Sequence, residues 1–186
     1  MIWPTAEDGI KTLVERLLKG GARHFVLNAP WQAGLFAHPE KLILWAGPFC
    51  NLGNPLALDL LKQAGFAGAF VSPELGRETF LELPKISPLP LGMVLSGLWP
   101  LALSRVLSEA IDPGQPFTSP RGEQAWVKRW EDTFWLFPNW RLDLSSQRRV
   151  LEKAGYQWFA HLEEPLPKTV KLKDRPGLWN WNIGLK

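Results

Sequence analysis

Residues 42–75 read LILWAGPFCNLGNPLALDLLKQAGFAGAFVSPEL, and this segment carries the clearest secondary-structure pattern of the chain. An apolar run over residues 42–46 has the length of a strand and is too short for a buried helix. Asn54 before Pro55 is typical of a helix cap followed by the first helical residue, and the Leu-rich segment after them ends in a glycine. A second apolar run, residues 67–71, follows at once. The order strand, helix, strand predicts a βαβ unit with two parallel strands and a right-handed crossover.

Polar side chains follow both strands of this unit. Asn51 and Asn54 come after the first strand, and Ser72 and Glu74 come after the second. Ligands of parallel α/β proteins gather at the carboxyl ends of the strands, so these residues are candidates for a binding site. The alternative is that they cap helices, which is the usual role of Ser and Asn there, and Ser72 to Glu74 also fits a helix start.

The rest of the chain predicts alternating helices and strands. The expected helices cover residues 6–19, 76–83, 97–108 and 144–155, and the expected strands residues 24–28, 89–95 and 156–162. A loop is expected over residues 112–122. Residues 126–138 favour a β-hairpin that turns at Glu131 and Asp132, with a short helix before a strand as the alternative. This alternation predicts one α/β domain over residues 1–162, built on a parallel sheet with flanking helices, and then an irregular basic tail over residues 163–186.

Composition limits the classes of function. The chain has 186 residues, of which 46% are hydrophobic and 21% charged, which is typical of a soluble globular domain. We expect no signal peptide, no membrane span and a cytoplasmic location. The single cysteine, Cys50, excludes an internal disulfide framework and any all-cysteine metal or iron–sulfur site within one chain, so we expect no cofactor and no metal. The same thiol is expected to be buried and inert, because no base lies near it in sequence.

The charge distribution and the aromatic content each have a binding interpretation and a structural one. Residues 148–186 hold eight Lys or Arg against four acids, and a basic tail of this kind either contacts nucleic acid or is simply solvated. The chain is also tryptophan-rich, with eleven tryptophans. Tryptophan most often fills cores and interfaces, and its alternative use is stacking on bases or sugars.

The segment AGPFCNLGNPLALDLLKQAGFAGAFVSPELGRETFLEL resembles the central part of the peptidase U32 family, the collagenase-like protease group. The shared features are a turn asparagine, a glycine after a Leu-rich helix and a Ser-x-Glu-Leu motif, here Asn54, Gly65, Ser72, Glu74 and Leu75. The family's next landmark is matched by LPLGMVLSGLWPLALSR, with Gly97, Pro100, Ser104 and Arg105. The resemblance covers residues 42–105, with a weaker echo to about residue 160.

This resemblance implies a fold and its missing part. Members of the family are similar to TIM-like barrels, and the match lies on the later part of such a barrel. A whole eight-stranded barrel typically needs about 250 residues. The expected fold is therefore a partial (β/α) barrel, whose open sheet edge is expected to be covered by a missing N-terminal half-barrel or by a second copy in a homodimer.

The resemblance also implies a function. It points to a U32-type peptidase domain, a hydrolase, within a larger protein. The cysteine cluster that redox relatives carry after the Ser-Arg pair is absent here. A non-catalytic domain that binds peptide or RNA is the alternative. Glu74 and Arg105 are the catalytic candidates and are predicted to face one cleft, and the expected substrate-binding residues are Asn51, Asn54, Ser72 and Ser104.

Overall fold

The structure is a computed structural model that describes residues 7–119 and 122–173. Strands and helices are numbered along the chain. The strands are β1 His24–Leu27, β2 Ile43–Ala46, β3 Gly68–Phe70, β4 Leu91–Gly97, β5 Ala102–Ser104, β6 Pro116–Thr118, β7 Gln124–Trp130, β8 Thr133–Pro138, β9 Leu142–Asp143 and β10 Tyr156–Leu162. The α-helices are α1 Glu7–Lys19, α2 Pro55–Gln63, α3 Arg77–Ile86 and α4 Arg148–Ala154. Short 3-10 helices cover Pro30–Leu35, Pro39–Lys41, Pro48–Cys50 and Ser145–Gln147.

Five parallel strands form a curled half-barrel sheet in the order β1, β2, β3, β4, β10. The register places Trp45 beside Gly68, and Ala69 beside Leu91. The predicted strands at residues 42–46, 67–71 and 89–95 are therefore parallel neighbours, as expected from the βαβ pattern. The two-residue strand β9 adds antiparallel to the carboxyl end of β4.

The α/β fold with a parallel sheet and flanking helices is confirmed, and the described residues form a half-barrel rather than a closed barrel. Its outer face packs on the helices: Leu44, Ala69 and Met93 of the sheet share one core with buried leucines and phenylalanines of α2, α3 and α4. Side chains of successive strand residues alternate between the two faces. Trp45 and Phe70 therefore point to the inner face of the half-barrel.

A second, antiparallel sheet follows the half-barrel, in the order β5, β8, β7, β6. The predicted hairpin over residues 126–138 is confirmed, and Glu131 takes the left-handed conformation (φ 50°) at its turn. The stacked pair Trp126 and Phe137 forms a separate small core with Leu98 and Val170. Strand β6 lies within the segment expected to be a loop.

The helix expected over residues 97–108 is wrong. Gly97 (φ 135°) turns the chain, and the backbone N–H of Leu101 donates to the carbonyl of Leu136 at 2.8 Å. Strand β5 then pairs with β8. The conformation of such an apolar segment depends on which arrangement satisfies its backbone N–H and C=O groups. Here the edge strand of the hairpin, β8, satisfies them, so the segment forms a strand.

Two helix boundaries also differ from the prediction. Helix α3 begins at Arg77, not at Ser72–Glu74, because the Ser72 hydroxyl accepts the Glu74 N–H in a local turn. It also continues through Pro84 to Ile86, beyond the expected end at residue 83. Proline removes one helical hydrogen bond, and burial of Phe80 and Leu83 on this helix outweighs that loss.

Other boundaries agree closely. Helix α1 and strand β10 lie where expected, and α4 begins at Arg148 after a 3-10 turn. Within the predicted tail, residues 163–173 contain neither helix nor strand, and residues 174–186 lie outside the described part. Among the described helices, none combines the length and the apolar character needed to cross a bilayer.

Candidate ligand-binding cleft

A cleft of about 890 Å³ opens at the carboxyl ends of the parallel strands. It lies where the half-barrel, the antiparallel sheet and α1 meet. The first residue after β1, the turn after β2, the loop after β4 and the end of β10 all contribute to its walls. The lining residues are Gly9, Ile10, Leu13, Asn28, Phe49, Leu98, Pro100, Trp130, Glu131, Thr133, Trp135, Phe137, His161, Leu162, Glu163 and Glu164.

Aromatic side chains form one wall of this cleft. Phe49, in the 3-10 turn after β2, stacks on Trp99 with ring centroids 4.7 Å apart. Trp135 of β8 meets Phe49 edge to face at 5.5 Å, and Trp130 of β7 lies 6.2 Å from Trp135. Trp130 is 55% exposed, although the Lys128 ammonium lies over its ring, 5.1 Å from the centroid, so part of the ring surface is accessible to a ligand. This aromatic wall, formed by Phe49, Trp130 and Trp135, offers flat apolar surface for stacking, and the buried Trp99 supports it through Phe49.

Carboxylates stand around the mouth of the cleft. Glu131, at the hairpin turn, and Glu163, just after β10, are both exposed. Glu164 is less exposed and accepts a hydrogen bond from the Lys128 ammonium at 2.5 Å, so its charge is compensated. The polar rim near Glu131 and Glu163 is therefore acidic.

Ser96 and His161 meet at the carboxyl ends of β4 and β10. The Ser96 Oγ lies 2.7 Å from His161 Nδ1, on paired strands. Strand β9 places Asp143 directly beside Ser96. Hydrogen bonds from Ser145 lower the pKa of the Asp143 carboxyl, and the neighbouring His161 lowers it further. The sequence analysis did not identify this pair, because Ser96 and His161 are 65 residues apart in the chain and match no motif.

The predicted asparagines have local roles. The Asn54 side-chain oxygen accepts the Ala57 N–H at 2.9 Å and caps α2. Asn51 is exposed and left-handed (φ 52°) at the end of a 3-10 turn, a conformation that asparagine tolerates better than most residues. Neither residue lines the cleft.

The predicted serines are also locally bonded. Ser72 is buried and its hydroxyl accepts the Glu74 N–H at 3.3 Å. The Ser104 hydroxyl donates to the Val106 carbonyl at 2.6 Å and accepts the N–H of the same residue at 3.1 Å. Both contacts are those of turn residues, and neither serine lines the cleft.

Glu74 contacts Trp99, the residue that stacks on Phe49 of the aromatic wall. It is exposed, and its Oε1 accepts a hydrogen bond from the Trp99 indole at 3.3 Å. Arg105 is exposed and directly follows β5, so it belongs to the antiparallel sheet rather than to the half-barrel. A shared cleft for Glu74 and Arg105 stays a prediction, with Glu74→Gln and Arg105→Ala expected to weaken ligand binding.

Cys50 is half-buried rather than fully buried, and its Sγ donates to the Leu27 carbonyl at 3.3 Å. Burial raises the pKa of this thiol to about 11. Such a thiol is a poor nucleophile at neutral pH. In residues 7–119 and 122–173, no three His, Cys, Asp or Glu side chains are grouped to hold a metal ion.

Comparison of the chain with protein-family models, with curated proteins and with solved structures found no match.

Proposed function

We propose that the chain is a peptidase U32-like domain of a larger protein, and that its cleft binds a peptide. The motif resemblance over residues 42–105 supports the family. The position of the cleft supports binding, because barrels of parallel strands hold their ligands at the carboxyl ends. The missing β/α units of the larger protein would pair with the open edges of the sheet.

The aromatic wall is the observation that carries this proposal. Phe49, Trp130 and Trp135 bring three rings within reach of one ligand. Aromatic side chains on a concave surface are typical anchors for apolar side chains of a peptide. A base could also stack there, so the ring geometry alone fits both ligands.

The charge at the mouth of the cleft favours peptide over RNA. Glu131 and Glu163 are exposed carboxylates beside the aromatic wall. RNA binding depends on neutralising phosphates with Lys and Arg, and carboxylates at this position repel phosphates. A peptide with an aromatic or aliphatic side chain and a nearby basic residue complements both features.

Trp130→Ala tests the proposal. Titration of the chain with short peptides that contain leucine or phenylalanine next to arginine is followed by calorimetry. Removing the exposed ring is expected to weaken peptide binding by ~10-fold, in the range of an interface anchor. Trp158→Ala is the matched control, because Trp158 is 59% exposed against 55% for Trp130 and lies outside the cleft.

Equal loss of affinity in both variants, or no peptide binding by the unmodified chain, contradicts the proposal. A single-stranded RNA oligonucleotide is titrated in parallel. Tighter binding of the RNA than of the peptides, lost with Trp130→Ala, would select the alternative of an RNA-binding domain.

A further inference from the structure

Ser96 and His161 occupy the positions that parallel barrels use for chemistry. Both lie at the carboxyl ends of neighbouring strands of the half-barrel, and His161 and the next residue, Leu162, line the cleft. Gly97 holds these ends together: its φ of 135° suits glycine, and a Cβ there would lie 2.3 Å from the Leu162 carbonyl oxygen. The close approach of the backbone at Gly97 and Leu162 therefore keeps the Ser96 and His161 side chains next to each other.

The contact has the arrangement of a nucleophile and its base. When the imidazole carries its proton on Nε2, the Ser96 hydroxyl donates to Nδ1 across 2.7 Å. That separation lies within the range required for proton transfer from a nucleophile to a base. The Asp143 carboxylate lies beside Ser96 on the antiparallel neighbour of β4, and its interaction with His161 contributes to the lowered pKa of Asp143.

We propose that Ser96 and His161 are the nucleophile and the base of an acyl hydrolase that acts on a ligand in the cleft. This proposal rests on the proposed function and assigns its reacting residues. Ser96 Oγ attacks the carbonyl carbon of a peptide or ester bond while its proton passes to His161 Nδ1. The bond to the leaving amine or alcohol then breaks, and the leaving group takes that proton from His161.

Water completes the cycle. The covalent product of the first step is an ester between the acyl group and Ser96. A water molecule gives a proton to His161 and attacks that ester, which releases the acid, and the proton returns to Ser96 Oγ. The aromatic wall of the same cleft would hold a side chain of the acyl group during both steps.

A fluorophosphonate probe tests this assignment on the full chain. An activated serine displaces fluoride from the probe, and peptide mass mapping then identifies the labelled residue. Ser96 is expected to carry the label. Ser96→Ala should abolish labelling, and His161→Gln should slow it by ~10²-fold or more, the usual contribution of a positioned base. Ser104→Ala is the matched control, because Ser104 is exposed and its hydroxyl bonds to the Val106 backbone instead of to a histidine.

Each outcome decides one proposal. Absence of label on Ser96 in the unmodified chain overturns the assignment, and this mapping needs no variant to fold. Labelling that His161→Gln leaves unchanged, with the thermal midpoint also unchanged, overturns the role of His161. If peptides bind and Ser96 stays unlabelled, only the catalytic assignment fails. If Ser96 is labelled and no peptide binds, the proposed peptide ligand fails and the acyl hydrolase stands.

Discussion

At the residue scale, local hydrogen bonds decide what each polar side chain is free to do. Asn54 and Ser104 use their polar atoms on backbone groups within three residues. His161 instead reaches across to Ser96 on a neighbouring strand, and the two meet at the end of the sheet beside the cleft. A side chain committed to its own turn is less available to a ligand, which is why the tertiary pair is the stronger candidate for chemistry.

Cys50 is expected to react slowly with iodoacetamide in the folded chain. Burial holds its pKa at about 11 instead of the ordinary 9.0, which leaves ~100-fold less thiolate at neutral pH. The alkylation rate should rise with pH up to about 11. Because the folded state keeps the proton more tightly, the contribution of this thiol to stability is complete below pH 9.0 and is lost as the pH rises toward 11.

Mass spectrometry of timed samples measures that rate, with the urea-unfolded chain as the reference. Equal rates in the folded and unfolded chain at pH 7 would contradict the prediction and reopen Cys50 as a nucleophile.

At the element scale, the position of a helix such as α2 depends on residues next to it in the sequence. The strands of the second sheet depend instead on pairing with residues far along the chain. Helix α2 has its cap, its N-terminal proline and a left-handed glycine within one short segment. Strand β5 has no such signals, and it exists because Leu101 and its neighbours bond to β8. Elements whose partners lie far along the chain are those that sequence patterns place least well.

Asn54→Ala separates capping from ligand binding. Loss of the bond to the Ala57 N–H is expected to lower the free energy of unfolding by about 1 kcal/mol, the usual value of an N-cap. Peptide affinity should stay unchanged, because Asn54 does not line the cleft. Urea unfolding and calorimetry measure the two quantities, and Asn54→Ser is the control that keeps a capping oxygen. A weaker peptide affinity at unchanged stability would restore Asn54 as a binding residue.

At the scale of the whole molecule, the half-barrel sheet has two open edges, and apolar side chains on its edge strands are exposed. In the described part of the chain, β1 and β10 each pair on one side only. Val26 (56% exposed) and Trp158 (59% exposed) lie on these two strands, and Trp158 meets Trp45 of the inner face at 6.0 Å. Open edges next to exposed apolar side chains favour association with further chain.

The isolated chain is therefore expected to self-associate. Trp158→Glu should shift its sedimentation toward the monomer, because a charge at a desolvated contact is costly. Trp130→Glu is the control, since Trp130 has similar exposure and belongs to the cleft. A chain that sediments as a monomer over a wide range of concentration, or two variants that behave alike, would contradict this prediction.

Local sequence patterns were enough to predict the βαβ unit, the parallel order of its strands, the hairpin at residues 126–138 and the final strand. These features depend on apolar period, caps and turn residues that act over a few positions. Four further features became apparent from the three-dimensional arrangement of the chain: the second sheet, the continuation of α3 through Pro84, the aromatic wall and the contact of Ser96 with His161. Each of these depends on packing or hydrogen bonds between residues distant in sequence, for which the energy comes from burial and pairing rather than from local preference.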